Sequence, residues 1–420
     1  MSGNFRAAPI KKEFYSTGVR ILFLLASIGL AFGMYRMVFG LESSTNLTNP
    51  YPWGLWIGVD IASGVALAAG GFTTAALIHI FHKEKYETIG RAAHLTGMLG
   101  YTFVAVGLLF DLGRWYNVWH VALPMCWQGN SVLFEVGICV MCYLTVLYLE
   151  FVPVVAERFL GQMPAGIPKF VDKFLGILHK FTDKIMWVLL ILGVVLSCLH
   201  QSSLGNLMVI APYKMHPLWY SPFLPMMFLI SAIGLGLPMV IFEGMIATKS
   251  FNLESEMHIL SKLAKIVPVI IGMYLIAKVA DLVIRDAWIH IFDGTLQSYM
   301  FLGEFVLGIL IPFGAFLFKK VRETSGLLFG ASAMYIIFGV LMNRVNVFMI
   351  AYMPPYRQGQ YVPSFGEFAV TIGLISMLMI AYRAIVTIFP VLPAQSHQFR
   401  VSYSLKGSTI GEKVRGMIRS

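Results

Sequence analysis

The chain has 420 residues, 58% of them apolar and 12% charged, with a mean hydropathy of +0.75 and a formal charge of +10. That much apolar surface cannot be hidden in one water-soluble core, which excludes a soluble protein and indicates a polytopic membrane protein. The apolar runs are about 20 residues long without strict alternation, which excludes a transmembrane β-barrel, and the basic residues fall in short loops, where they set orientation and give no reason to expect nucleic acid.

The first seventeen residues are polar and basic, with no cleavable signal, and ten apolar runs follow. They lie near 18–40, 54–81, 94–112, 131–155, 185–200, 222–247, 264–284, 299–318, 326–343 and 365–389. The predicted fold is therefore all-α, with ten transmembrane helices. Basic loop residues number twenty-two on one side, against Arg114, Lys214, Arg285, Arg344 and Arg357 on the other. The positive-inside rule then puts both termini in the cytoplasm of a bacterial inner membrane.

The second run, inside NPYPWGLWIGVDIASGVALAAGGFTTAALIHIF, carries Asp60 among Gly58, Gly64, Gly70 and Gly71. A carboxylate in hydrocarbon costs several kcal/mol unless paired, hydrated or protonated, so Asp60 is a functional candidate. The glycines strip one face, which suits either a neighbouring helix or a flat ligand. Arg91 and His94 precede the third run, Tyr101 lies within it, and Asp111 and Arg114 end it. The fourth opens on Glu135, contains Cys139 and Cys142, and closes on Glu150; the fifth ends at His200 and the sixth at Glu243.

Helical rise puts Asp60, Asp111, Arg114, Glu135 and His200 at similar depth near the outer face. They are expected to converge in one bundle, where carboxylates and an imidazole exchange protons beside a slot for a flat ring. Arg91, Glu150 and Glu243 form an inner group, with Tyr101 between the two. The Cys-x-x-Cys reads as core packing, because thiolates are disfavoured in hydrocarbon. No metal site and no Walker or dinucleotide motif is present. The ten histidines fall mostly in loops or at run ends, so no haem is expected.

Spacing also suggests a duplication. Tyr101, Asp111, Arg114 and Glu135 are echoed by Tyr274, Asp281, Arg285 and Glu304, about 170 residues on. This gives two parallel-related four-helix bundles with the first and last helices flanking them. The predicted segments are 1–53 (tail, first span and outer loop), 54–200 (first bundle), 201–343 (outer loop and second bundle), 344–393 (outer loop and last span) and a cytoplasmic tail, 394–420. The outer loops, ESSTNLTNPYPW, GRWYNVWHVALPMCWQGN, QSSLGNLMVIAPYKMHPLWYSP and VNVFMIAYMPPYRQGQYVPS, are rich in Trp, Tyr, Pro and Met. That favours a partner-docking face.

The blocks PYPWGLWIGVDIASGVALAAGGF, DLGRWYNVWH, SVLFEVGICVMCYLTVLYLEFVP and HQSSLGNLMVIAPYKMHPLWYSPFLP resemble the NrfD/polysulfide reductase membrane-subunit family. Within it they are most similar to the so-called cytochrome b subunit of membrane-bound nickel-iron hydrogenases. The resemblance covers nearly all ten spans and fades beyond Pro393. It implies a haem-free anchor in the lipid membrane that reduces menaquinone. It also implies a periplasmic ferredoxin-like iron-sulfur subunit as partner, and hydrogenase small and large subunits that hold the iron-sulfur clusters and the nickel-iron site. By the same resemblance Asp60, Arg91, Tyr101, Glu135, His200 and Glu243 occupy the family's polar positions for quinone or protons. The expected quinone pocket is thus Asp60, Gly64, Tyr101, Arg114, Glu135 and His200, and the proton route Arg91, Tyr101, Glu135, Glu150 and Glu243. A quinol-oxidising subunit of a polysulfide or nitrite-type reductase, and a secondary transporter, are the alternatives.

Overall fold

Ten helices long and apolar enough to cross a membrane make up most of the chain in a computed structural model. The structure describes residues 7–80, 87–161, 168–356 and 359–392. We number the spans α1 (Thr17–Phe39), α2 (Trp56–Ile78), α3 (Ile89–Asp111), α4 (Val132–Phe159) and α5 (Lys169–Val209). The others are α6 (Leu224–Phe251), α7 (Met257–Ile284), α8 (Leu296–Leu317), α9 (Ser325–Ile350) and α10 (Phe365–Ile388). The chain is an all-α polytopic membrane protein, as its composition requires. Of the basic residues and histidines counted above, Arg6, His82, Lys83, Lys85, Arg357 and those of the 394–420 tail lie outside the described residues.

Helix starts follow local chemistry. Ser131 accepts the Phe134 N–H at 3.3 Å, and Ser364 with Glu367 forms a capping box on α10. Several ends differ from the expected ones. α5 runs 41 residues, or about 60 Å, twice the ~30 Å hydrocarbon core. His200 therefore lies inside α5, nine residues before Val209, instead of ending it. Glu150 and Glu243 also sit well inside α4 and α6. Arg344, read as a loop residue, is buried within α9. The outer loops are correspondingly shorter, because QSSLGNLMV and VNVFMI are helical.

α2 is the central helix: 72% of its apolar window is buried, against 22% for α1. Its glycine face is occupied by helices. Gly71 abuts Gly97 of α3, Gly70 abuts α6 at Val240 and Gly236, and a Cβ at Gly64 would come within 2.8 Å of Val104. The expected slot for a flat ring beside Gly64 is thus filled. α1 and α10 cross where Gly29 meets Gly373, so closely that any Cβ there would strike backbone. Gln201 of α5 donates to the Val65 carbonyl of α2 at 2.8 Å and ties those two helices together.

Three helices carry widened, π-helical turns: α2 at Trp56–Ser63 and Ala76–Ile80, α8 at Glu304–Leu310, and α9 at Tyr335–Leu341 and Asn346–Ile350. The Ala351 N–H reaching the Asn346 carbonyl, five residues back, at 2.7 Å is one such bond.

On the outer side the 210–223 loop pairs with residues 351–353. The His216 N–H donates to Ala351 O at 2.8 Å and the Met353 N–H to Lys214 O at 2.6 Å. Burial, with His290 nearby, lowers the His216 imidazole below its usual range, against a smaller opposing effect of Asp293. A lowered folded value means that the unfolded loop binds the proton first as pH falls. The loop pairing should hold undiminished above the ordinary imidazole range and weaken as pH drops through it. Amide exchange of Ala351 to Met353 at pH 7 and pH 5 measures this, and unchanged protection would contradict it.

Candidate functional site

The outer end of α2 is built around Asp60. Its carboxylate accepts the Thr371 hydroxyl of α10 at 2.7 Å, and its Cβ rests against Gly107 of α3, where a larger side chain would press on it. Asp60 stays partly exposed. Asp111 ends α3 nearby and interacts electrostatically with it. The counter-charge is Arg36 of α1, only 1% exposed, which donates to the Leu112 carbonyl at 2.5 Å and faces Asp111. α10 completes the enclosure. Glu367 accepts the Asn46 N–H at 3.0 Å, the Ser364 N–H at 3.1 Å and the Tyr361 hydroxyl. Burial and that carboxylate push the Tyr361 hydroxyl well up, so it remains a donor. Its oxygen in turn accepts the Leu55 N–H at 3.0 Å, which ties the entry of α2 to α10.

The expected single cluster is divided. Asp60 and Asp111 group with Arg36, Thr371 and Glu367. His200 is fully buried and meets the Tyr101 ring edge-on, with centroids 5.5 Å apart, while Tyr101 meets Tyr143 at 4.5 Å. Neither His200 ring nitrogen has a hydrogen-bond partner among the described residues. Glu135 is an exposed residue whose carboxylate accepts the Ser203 hydroxyl at 2.5 Å. Arg114 is exposed in the loop after α3 and does not join them. Arg36, and not Arg114, is the cation facing Asp111.

The inner residues divide likewise. Arg91 is exposed and pairs with Glu157 at 2.8 Å. Glu150 stands 3.4 Å from His94, whose other ring nitrogen lies 3.1 Å from the Leu147 carbonyl. Glu243 faces Thr96 of α3 and Tyr382 of α10. Thr96 lies five residues before Tyr101 on the same helix, about 7.5 Å along it. α3 therefore carries Thr96, Tyr101 and Asp111 as a ladder from the inner group to the outer one.

Sequence reasoning passed over Lys278. It pairs with Glu304 of α8, both buried, and Trp219, Asn343 and Asn346 also donate to that carboxylate at 2.8–2.9 Å. α6–α9 thus also holds a buried charged cluster. The signal available was a lysine in the middle of an apolar run, which hydrocarbon tolerates only with a partner. Among the described residues no group of three His, Cys, Asp or Glu side chains could hold a metal.

Residues 43–355 match the family model described as polysulphide reductase, NrfD. A protein of Nitratidesulfovibrio vulgaris whose name states no activity is 36% identical over 397 residues, covering 92% of this chain and 97% of its own. The probable Ni/Fe-hydrogenase 2 b-type cytochrome subunit of Escherichia coli K12 is 32% identical over 388 residues, covering 92% and 95%. The integral membrane subunit of a menaquinone reductase of N. vulgaris is 26% identical over 422 residues, covering 90% and 94%. The name of the E. coli relative points to haem and overturns the expectation of a haem-free protein. That expectation placed the histidines at run ends, whereas α5 carries His200 deep inside the helix group. With the family model spanning most of the chain and relatives above 30% identity matching over nearly its full length, the chain belongs to the NrfD polysulphide reductase family.

Proposed function

We propose that this chain is the quinone-reactive membrane subunit of a nickel-iron hydrogenase complex. Electrons from hydrogen arrive at the outer, periplasmic face through a ferredoxin-like iron-sulfur subunit and reduce a menaquinone-type quinone in α2–α5. The names of two relatives, a hydrogenase membrane subunit and a menaquinone reductase membrane subunit, support this. Outer-face aromatics offer the docking surface: Tyr213 is 93% and Tyr356 99% exposed. The reading includes two four-helix units, α2–α5 and α6–α9, in an inner membrane with both termini cytoplasmic.

The observation that carries it is Asp60, a partly exposed carboxylate within a membrane helix, hydrogen-bonded by Thr371 and beside Asp111 and Arg36. Such a group can give or take the proton that quinone chemistry requires. Tyr101 and His200 lie on the inner side of this region, and protons reach them from Glu243 past Thr96. Haem, if bound, would supply one-electron transfer. His200 has the unpartnered ring nitrogens that iron needs, but no second described histidine faces it at its level. His94 is about 10 Å before Tyr101 along α3, and its nitrogens face Leu147 and Glu150. The described residues thus do not fit a paired-histidine haem site, and no step here runs through one.

Asp60→Asn in the assembled complex tests the reading. Hydrogen-dependent reduction of an artificial dye should persist while menaquinone reduction falls by about 10²-fold. Equal loss of both would mean failed assembly, and full menaquinone reduction would remove Asp60 from the site. The family description favours a second reading, a subunit that oxidises quinol for a polysulfide-type reductase. Mass spectrometry of the subunits that copurify separates the two.

A further inference from the structure

We propose that the inner extension of α5, residues 169–184, is a docking surface for acidic phospholipids of the adjoining leaflet. α5 outruns its neighbours on that side. A Cβ on Gly176 would meet Leu160, just past the end of α4, at 3.5 Å, and Arg158 near that end donates to the Ile388 carbonyl at the end of α10 at 3.0 Å. The inner ends of α4 and α10 are therefore level with the region of Gly176. α10 has 24 residues, about 36 Å, so its ends stand within a few ångströms of the edges of the ~30 Å hydrocarbon core. Beyond that level α5 runs on for seven residues, about 10 Å, among the headgroups and the water outside them.

Two ridges run side by side along this extension. Phe170, Phe174, Ile177 and Phe181, at helical spacing, are each more than half exposed and form an apolar ridge. Lys169, Lys173, Lys180 and Lys184 are exposed and fall within about 60° of one another around the helix, directly beside that ridge. None of these lysines forms an ion pair among the described residues. The acids of the segment are engaged: Asp172 accepts the Gly161 N–H at 3.0 Å, and Asp183 stands 3.5 Å from His179. Lys169 and Lys173 also crowd the positive end of the helix dipole, where a cation is disfavoured unless an anion lies nearby.

The chemistry of both ridges selects the occupant. Deeper in the membrane the same face of α5 exposes Trp187, Val188, Ile191 and Val195, where acyl chains lie against it. A phospholipid whose chain rests on those residues carries its upper chain and glycerol onto Phe181 and Ile177 and its phosphate to the lysines. A free anion would leave the aromatic ridge in water, and a neutral lipid would leave the lysines without a counter-charge. An acidic phospholipid covers both.

Amide exchange of residues 172–181 tests this on the full chain, in nanodiscs of phosphatidylcholine alone and with about one-third phosphatidylglycerol. Phosphatidylglycerol should slow exchange there at least about threefold, with the effect fading in high salt. Equal exchange in the two lipids overturns the proposal. Lys173→Gln combined with Lys180→Gln removes half of the basic ridge and leaves the apolar ridge and most of the basic residues that set orientation. That variant should lose most of the difference while its exchange in phosphatidylcholine stays as in the wild type, and an undiminished difference also overturns the proposal. Protection that ignores the lipid and appears only with two chains per disc would give the face to a second copy of this chain instead. The quinone reading is not involved, so a complex without quinone activity would refute that reading alone.

Discussion

Glu304→Met is expected to cost the folded chain about 3–5 kcal/mol, as when one partner of a buried ion pair is removed. Without the carboxylate, Lys278 and Arg344 are two buried cations with no opposing charge, and Trp219, Asn343 and Asn346 each lose an acceptor. An unsatisfied buried donor adds about 1–3 kcal/mol, part of which a relaxed neighbourhood or an entering water recovers. Lys278→Met should cost clearly less, because three neutral donors and Arg344 remain around Glu304. Denaturant titration of both variants in the same detergent checks the order. A Lys278→Met variant less stable than Glu304→Met would reverse the charge argument.

Glu243→Gln is expected to slow quinone reduction by about 10²-fold, the usual scale for loss of a positioned acid or base. The glutamine keeps the shape of the glutamate where it faces Thr96 and Tyr382, so packing among α3, α6 and α10 should survive. What it loses is the ability to carry a proton. Hydrogen-dependent dye reduction, which needs no quinone, should stay at the wild-type rate. If the variant reduces quinone at full rate, Glu243 is a packing group and the α3 ladder does not begin there.

Ten spans were legible because hydrocarbon demands about 20 apolar residues per helix, a signal no soluble fold imitates. Asp60 was legible for the same reason, as a charge out of place. Its partners were not. Thr371 is 311 residues away and Arg36 lies on α1, so what surrounds Asp60 depends on how the first and last helices close on each other through Gly29 and Gly373. Local periodicity carries no record of that contact. Depth estimates failed for His200 and Arg344 because hydropathy marks where apolar residues stop, whereas α5 and α9 continue through polar ones. The internal echo shows a further limit. Glu135 and Glu304 share spacing, yet one is exposed beside Ser203 and the other buried beside Lys278. The residue 171 positions before Lys278 (278 − 171 = 107) is Gly107, which cannot supply a charge and instead seats Asp60.

The widened turns make α2, α8 and α9 each behave as a shaft with a coupling in it. A π-helical turn holds one residue more than the α-helix needs, and one residue corresponds to about 100° of rotation. If the Glu304–Leu310 turn tightened to a regular α-helix with every residue kept, everything beyond it would swing by that angle. With Glu304 fixed at Lys278, Phe316, now fully buried toward the inner end of α8, would turn out of its seat. The same holds on either side of Ser63. The angular setting of Asp60 relative to the inner half of α2 thus depends on the widened turn that absorbs one surplus residue.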